Sequence, residues 1–237
     1  MRVLVIAAHP DDESVFAGGM IAKYATEGHN VSILLTTRGE GGEMGDPPLT
    51  TRQELGSVRE QEARAAATAL GASELRFLPY QDPVVGPDKT LYPIAAELDE
   101  FSAAIMEVMR EVRPDVVITH GSGGEYGHPQ HIYTHQAVFA ALRQLRETHD
   151  WQPREVLTWG AAYPEPEKER HINKNDPADI LLDVRPWLVR KIAALDAHKT
   201  QHGLFLRNNP GKTIDQIPGR IESFHRWLEY GSQPNTY

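Results

Sequence analysis

The stretch Val3-Leu4-Val5-Ile6-Ala7-Ala8-His9-Pro10-Asp11-Asp12-Glu13 decides the fold. Its first six residues are apolar without alternation. That is the pattern of a strand buried on both faces, and such strands belong to parallel sheets covered by helices. The run is too short for a membrane span or a signal-peptide core. It ends in three consecutive carboxylates, which repel one another. A helix N-terminus offsets such repulsion by ~0.3–1 kcal/mol per charge, and a dication offsets much more. His9 and Asp12, at i and i+3, can point at one ion, which leaves Asp11 to point elsewhere, toward a water. The plainer alternative is a solvated acidic cap on the first helix.

Outward from this strand the chain alternates strand and helix patterns. Gly18 to Gly28 reads as a helix, Val31–Thr36 as a second buried strand, and Arg52–Leu70 as a helix stopped by Gly71. Leu75–Pro79 is a third strand, Glu97–Val112 a helix ended by Arg113-Pro114, and Val116–Thr119 a fourth strand. A helix over His131 to about Arg146 and a strand over Val156–Ala161 follow. Ile180–Val184 reads as a sheet edge, and Trp187–His198 as a helix started by Pro186. Ile217–Glu229 reads as the last helix, with a frayed tail over Gly231–Tyr237. This rhythm predicts an α/β, Rossmann-like fold, a mostly parallel sheet with helices on both faces. No repeat or linker divides the chain, so residues 1–237 are expected to form a single domain. The tryptophans Trp151, Trp159, Trp187 and Trp227 read as core.

Two glycine-rich loops follow strands, Thr37–Thr50 and Gly121–Pro129, at the strand ends where open parallel sheets bind ligands. The first reads as a mobile wall or as an ordinary surface loop, with Glu40 and Glu43 solvated. The second leads into Tyr126-Gly127-His128-Pro129-Gln130-His131, again two histidines at i and i+3. His131 opens a helix, which holds its side chain on a rigid element. Two histidines and one carboxylate with an open fourth position form a common catalytic zinc arrangement. His128 is then free to polarise a carbonyl or protonate a leaving amine. His135 reads as a structural or supporting residue, and His120 as a satisfied loop-edge histidine.

Composition narrows the classes further. The chain has 237 residues, no cysteine and a formal net charge of −9. Without cysteine there is no disulfide framework or thiolate ligand, so a metal site must use histidine and carboxylate. The acidic balance and the absence of a Lys/Arg run argue against nucleic acid and anionic membrane as partners. A cytoplasmic protein is expected. A nucleotide-binding Rossmann enzyme is disfavoured, because Asp11-Asp12-Glu13 occupies the place of a glycine cradle and would repel a pyrophosphate. A phosphoesterase and a non-catalytic metal-binding protein stay open as alternatives to an amide hydrolase.

At these residues the chain resembles the LmbE-like (PIG-L) family of zinc-dependent N-deacetylases. His9-Pro10-Asp11-Asp12-Glu13 with Gly18-Gly19 matches the family's opening, and Gly127-His128-Pro129-x-His131 its second motif. Arg59 with Glu62, Ala65-Ala66 and Leu70-Gly71 matches a middle helix, and Lys191…His198-x-Thr200-Gln201 a weaker C-terminal motif. The resemblance implies His9, Asp12 and His131 as zinc ligands, with iron(II) an alternative in the cell. It implies Asp11 as general base and His128 as oxyanion stabiliser and acid. Tyr126 would help polarise the amide carbonyl, and Arg59 would contact substrate. Arg59's alternative is a surface ion pair with Glu62 or Glu54. The implied substrate is a small N-acetylated amino sugar, and the implied assembly a homo-oligomer. Gln130 departs from the family, where many members carry Asp; Gln cannot supply the charge that would raise the pKa of His128.

Overall fold

The computed structural model describes residues 1–86 and 88–229, so the expected frayed tail lies outside the described residues. β1 (Arg2–Ala7) pairs in parallel with β2 (Asn30–Thr37) on one side and with β4 (Val116–Thr119) on the other. β3 (Glu74–Tyr80) extends the sheet beyond β2, and β5 (Glu155–Trp159) extends it beyond β4, both in parallel. The sheet therefore runs β3-β2-β1-β4-β5 and is completed by two further strands. Between β1 and β4 the chain changes its direction of winding. Such a switch point leaves a crevice at the carboxyl ends of the two strands. The motif at residues 9–13 leaves β1 there, and residues 120–131 leave β4 at the same place.

Alternate residues of β1 face opposite cores, as an uninterrupted apolar strand requires. Val3, Val5 and Ala7 join Phe16, Met20, Ala63, Leu70 and Ala194. Those residues come from α1 (Asp12–Thr26), α2 (Leu55–Leu70) and α6 (Leu188–Ala197). Leu4 and Ile6 join Phe101, Ile105, Val138 and Leu142 on the opposite face, from α3 (Leu98–Val112) and α5 (Pro129–Glu147). The expected α/β layering with helices on both faces is what the chain adopts. Trp159 is fully buried in the first core, whereas Trp227 is 39% exposed.

α1 begins at Asp12, six residues earlier than the periodicity suggests, so that Gly18 and Gly19 lie inside it. Gly19 is needed for contact: a Cβ there would stand 2.2 Å from Val184 Cγ1. The expected strand Val156–Ala161 breaks at Gly160, which takes a φ of 66°, into β5 and the short β6 (Ala161–Ala162). β6 pairs with β7 (Asn173–Pro177). Ile180–Asp183 forms β8, the expected edge strand.

One element is of the wrong type in the sequence reading. The expected last helix over Ile217–Glu229 is instead β9 (Ile221–Glu229), antiparallel to both β5 and β8. Ile217, Ile221, Phe224 and Leu228 recur at helical spacing. The pairing edge of β5 outweighs that local pattern, because short apolar runs are ambiguous and tertiary context decides them. Glu222 then accepts the Gly19 and Met20 amides and binds Lys191 at 2.6 Å, a buried tie between β9, α1 and α6.

Candidate metal centre and active site

Asp11 is the hinge between β1 and α1, held at φ 117°, outside the regions that side-chain-bearing residues favour. Such strain costs ~1–3 kcal/mol and persists only where surroundings impose it. Here it separates the three carboxylates. Asp12 turns back toward β1 and accepts the His9 backbone N–H at 2.8 Å. Glu13 is buried, accepts the Asp11 amide and the Ser14 hydroxyl, and lies 3.3 Å from His198 Nε2. Asp11 faces the crevice, and Asp12 borders it.

Across the switch point, α5 starts at His128 and Pro129, with Nδ1 of His128 accepting the Gln130 amide at 3.3 Å. That bond leaves Nε2 of His128 carrying the ring proton. One turn on, His131 is fully buried. Its Nε2 lies 3.3 Å from Asp12 Oδ1 and 3.3 Å from His9 Nδ1, and His9 Nδ1 lies 3.2 Å from Asp12 Oδ2. A tetrahedral ion with bonds of ~2.0–2.2 Å keeps its donors roughly 3.3–3.6 Å apart. His9, Asp12 and His131, with both Asp12 oxygens taking part, are of a size and donor chemistry that suit a divalent ion. The groups whose single ligand atoms all lie within 4.8 Å of one another are His9–His128–His131 and Asp12–His120–His131. In each of them one histidine has a competing partner. Nδ1 of His128 is taken by a backbone amide. His120 uses Nε2 to accept the Ala8 amide and Nδ1 for Glu125.

Behind these residues lies a layer of carboxylates. Glu125 Oε2 takes Nδ1 of His131 at 2.6 Å and Nδ1 of His120 at 3.1 Å. Asp82 stands 3.7 Å from His9 Nε2 and accepts Gln130 Nε2 at 2.7 Å. Histidine ligands commonly have such partners, which fix the tautomer and raise basicity. Glu125 sits in the short turn α4 (Gly124–Gly127) at φ 58°, and Asn173 of β7 pins that turn by accepting the Gly123 and Glu125 amides. Gly121 makes room for it: a Cβ there would meet Asn173 Nδ2 at 2.0 Å.

The charges follow from these contacts. Burial pulls the His131 pKa down, but the Asp12 and Glu125 carboxylates outweigh it and push it up to about 10. A proton on His131 thus holds the place a cation would take. Asp12 resists its own burial because His131 and His9 hold it well below the usual carboxylate range. Asp11 is pushed up to about 6 by burial, against the pull of Arg59. His128 is pulled down to about 2 by burial and by the neighbouring His9 and His131.

Asp11, Asp12, Tyr126 and His171 open onto one cavity of about 320 Å³, whose far wall is Leu204 and Phe205 of α7 (His202–Arg207). Tyr126 is 52% exposed and sets its ring 5.4 Å from that of His131. Desolvation of its phenol end, together with the Asp12, Asp11 and Glu125 carboxylates, raises its pKa well above the usual value, so it stays a donor.

Arg59 does not form the alternative surface pair with Glu62 or Glu54. It is 2% exposed and donates to the carbonyls of Gly39 and Pro10, with Asp11 Oδ2 at 3.4 Å. Glu62 instead accepts Thr200. The first glycine-rich loop is pinned at its start: the Gly41 amide donates to Asp82, and Arg52 donates to the Glu40 and Gly42 carbonyls. Glu40 accepts the Asp82 amide, and Glu43 pairs with Arg207. His135 donates to the His120 carbonyl at 2.9 Å and supports the site from outside.

Sequence reasoning missed Glu125, Asp82 and Asn173. Asp82 could have been found, since it follows β3 at the same edge of the sheet. Glu125 stands next to Tyr126 in a loop already singled out. Asn173 carries no local signal.

Fold and site together define a metal-dependent α/β hydrolase. The chain belongs to the PIG-L family, described as GlcNAc-PI de-N-acetylase, which matches residues 4–142. A 1D-myo-inositol 2-acetamido-2-deoxy-alpha-D-glucopyranoside deacetylase of Acidothermus cellulolyticus is 34% identical over 230 residues, 84% of this chain and 79% of that one. Two solved structures share the fold at lower identity. The N,N'-diacetylchitobiose deacetylase of Pyrococcus horikoshii has a TM-score of 0.67 and 18% identity, over 95% of this chain and 83% of that one. The 4-carboxy-2-hydroxymuconate hydratase of Pseudomonas putida KT2440 has a TM-score of 0.66 and 21% identity, over 99% of each chain. Among the described residues no helix is long and apolar enough to cross a membrane.

Proposed function

We propose that this chain removes the acetyl group from the nitrogen of a small N-acetylglucosaminyl-type substrate, with a zinc ion held by His9, Asp12 and His131. The same donors also admit iron(II). The observation that carries this reading is the convergence of one nitrogen each of His9 and His131, 3.3 Å apart, on the two oxygens of Asp12 at 3.2 and 3.3 Å, beside a strained Asp11 that faces the cavity. A bound divalent ion supplies Lewis acidity for the scissile carbonyl and for water.

The remaining chemistry belongs to the chain. Asp11 takes the proton of the attacking water, and its pKa near 6 leaves it ionised at neutral pH yet able to carry a proton. His128, neutral and with its proton on Nε2, donates to the developing oxyanion; one such donor is typically worth ~3 kcal/mol. Its pKa makes an imidazolium acid the poorer role, so Asp11 delivers the proton to the departing amine. Tyr126 donates from the cavity side. Arg59 fixes the Pro10–Asp11 turn and holds the Asp11 carboxylate, positioning the base instead of binding substrate.

Acetate release from N-acetylglucosamine and a panel of its glycosides tests the reading, with chelated protein and Asp11→Asn as controls. Release that needs metal and vanishes in Asp11→Asn is the expected result. Silence on every amide together with turnover of p-nitrophenyl phosphate would reassign the site to phosphoester chemistry.

A further inference from the structure

Lys191, His198, Thr200 and Gln201 are buried, yet none of them lines the cavity over Asp11. Each ties α6, or the turn that follows it, to an element that borders the metal site. Lys191 reaches Glu222, which holds the Gly19 and Met20 amides of α1. Thr200 donates its amide and its hydroxyl to Glu62 of α2, at 2.8 and 2.7 Å. Gln201 donates to the Glu43 carbonyl in the first glycine-rich loop at 2.8 Å. His198 meets the first turn of α1. Its Nε2 stands 3.2 Å from Ser14 Oγ and 3.3 Å from Glu13 Oε1. The Ser14 hydroxyl gives its own proton to Glu13 at 2.7 Å, so the ring nitrogen is the donor in both contacts. Nδ1 of His198 is buried and has no partner among the described residues. A buried polar atom left bare is costly, and an apolar side chain would fill the same space without that cost.

What these ties hold meets at one peptide group. The Asp11 N–H donates to Glu13 Oε2 at 3.1 Å, and the Pro10 carbonyl accepts from Arg59 Nη2. Arg59 stands on α2 one turn before Glu62. Both ends of the Pro10–Asp11 peptide are therefore bonded to side chains. The φ of 117° at Asp11 depends on how that peptide is turned. If it rotates, φ relaxes toward a favoured region and the Asp11 carboxylate swings with it. We infer that His198 is a positioning residue for Asp11. Through Glu13 it clamps the nitrogen end of the Pro10–Asp11 peptide, while Thr200, through Glu62, seats the helix whose Arg59 clamps the oxygen end. The role of Asp11 as base rests on the deacetylase reading above; the clamp is a matter of geometry and can be measured without turnover.

The test replaces His198 by Leu, which keeps bulk and removes the donor, and by Gln, whose amide nitrogen can stand in for Nε2. Metal content, kcat and KM for acetate release are measured on the full-length, zinc-loaded proteins. The Asp11 amide is followed by NMR in the same samples, through its proton shift and its hydrogen exchange. His198→Leu should keep its metal, because no ligand is touched. Its kcat should fall roughly 10–100-fold, the scale for losing a residue that orients another. KM should stay within about twofold, since substrate contacts are intact. The Asp11 amide proton should move upfield and exchange faster. His198→Gln should restore most of the turnover and the amide signal together. A fall in kcat with the Asp11 amide unmoved would overturn the inference, as would a fall that Gln does not rescue. Wild-type kcat in His198→Leu would overturn it too, and so would loss of the metal, which would make His198 a support of the ligands instead. If the wild type releases acetate from no amide, the deacetylase reading falls. The clamp then stands or falls on the Asp11 amide alone, displaced in His198→Leu and restored in His198→Gln if it is real.

Discussion

Glu125 Oε2 lies 2.6 Å from Nδ1 of His131, and both side chains are fully excluded from solvent. The carboxylate fixes which nitrogen of His131 faces Asp12 and His9, and it adds negative charge where a cation would bind. Glu125→Gln keeps the shape and removes the charge. It should weaken metal affinity ~10–100-fold, the usual effect of losing such a partner. Competition with a chelator reads this directly, and an affinity equal to that of the wild type would show Glu125 to be purely structural.

The division of labour between Asp11 and Asp12 gives a second prediction. They are adjacent in sequence, yet the strained φ of Asp11 sends their side chains to different partners. Asp11→Asn should retain metal and lose ~10²–10⁴-fold in kcat, the range for removing a general base. His9→Ala and His131→Ala should lose the metal itself. Metal analysis of the three purified variants separates these outcomes, and metal loss from Asp11→Asn would exchange the roles of base and ligand.

The first of these assignments could be made from sequence only in part, and the reason is physical. His9, Asp12 and His131 lie in two short motifs on strand ends, and the buried-strand pattern of Val3–Ala8 tells which edge of the sheet they share. Their convergence follows from topology. The carboxylates behind them do not advertise themselves, because an acid three or more residues from a histidine can sit anywhere until the loop path is known. Glu125 reaches His131 only through a positive-φ turn that Asn173, nearly fifty residues downstream, holds in place. β9 was misread for a related reason. Its apolar spacing suits a helix, and only the open edge of β5 makes it a strand.

Gln130 had stood out as the place where a charge was missing. The structure does not return that charge to His128: the carboxylate that Gln130 Nε2 meets at 2.7 Å, Asp82, faces His9 Nε2 at 3.7 Å instead. Gln130→Asp therefore sets two buried carboxylates against each other, which favours protonation of one of them. We expect a loss of ~3 kcal/mol, the scale for a broken buried ionic contact, rather than a simple rise in the pKa of His128. The double variant Gln130→Asp/Asp82→Asn reverses the pair and should recover most of the stability. Thermal melts of the metal-free proteins decide this, and a single variant as stable as the wild type would mean that the Gln130–Asp82 contact is dispensable.

The first glycine-rich loop reads as a seat for Arg59. Gly39 adopts φ 70°, and a Cβ there would stand 2.1 Å from Arg59 Nη1; at Gly42 the distance would be 2.4 Å. Gly39→Ala should cost ~1–3 kcal/mol through backbone strain and overpacking. Because Arg59 holds the Asp11 turn, the variant should lower kcat more than it weakens metal binding. Unchanged stability and turnover would show that the loop shifts freely and that Arg59 does not depend on it.

Lys168 gives the fold a pH dependence of its own. Burial, and after it Lys191, Lys212 and Arg170, bring its pKa down to about 8 from 10.5, against the pull of Glu167. Between about 8 and 10.5 the unfolded chain holds a proton on this lysine that the folded chain has released, so the contribution of Lys168 to stability rises with pH there. In K168M that rise should be absent. Thermal melts of the wild type and of K168M between pH 8 and 10.5 check it, and parallel curves would show that Lys168 does not titrate in that range.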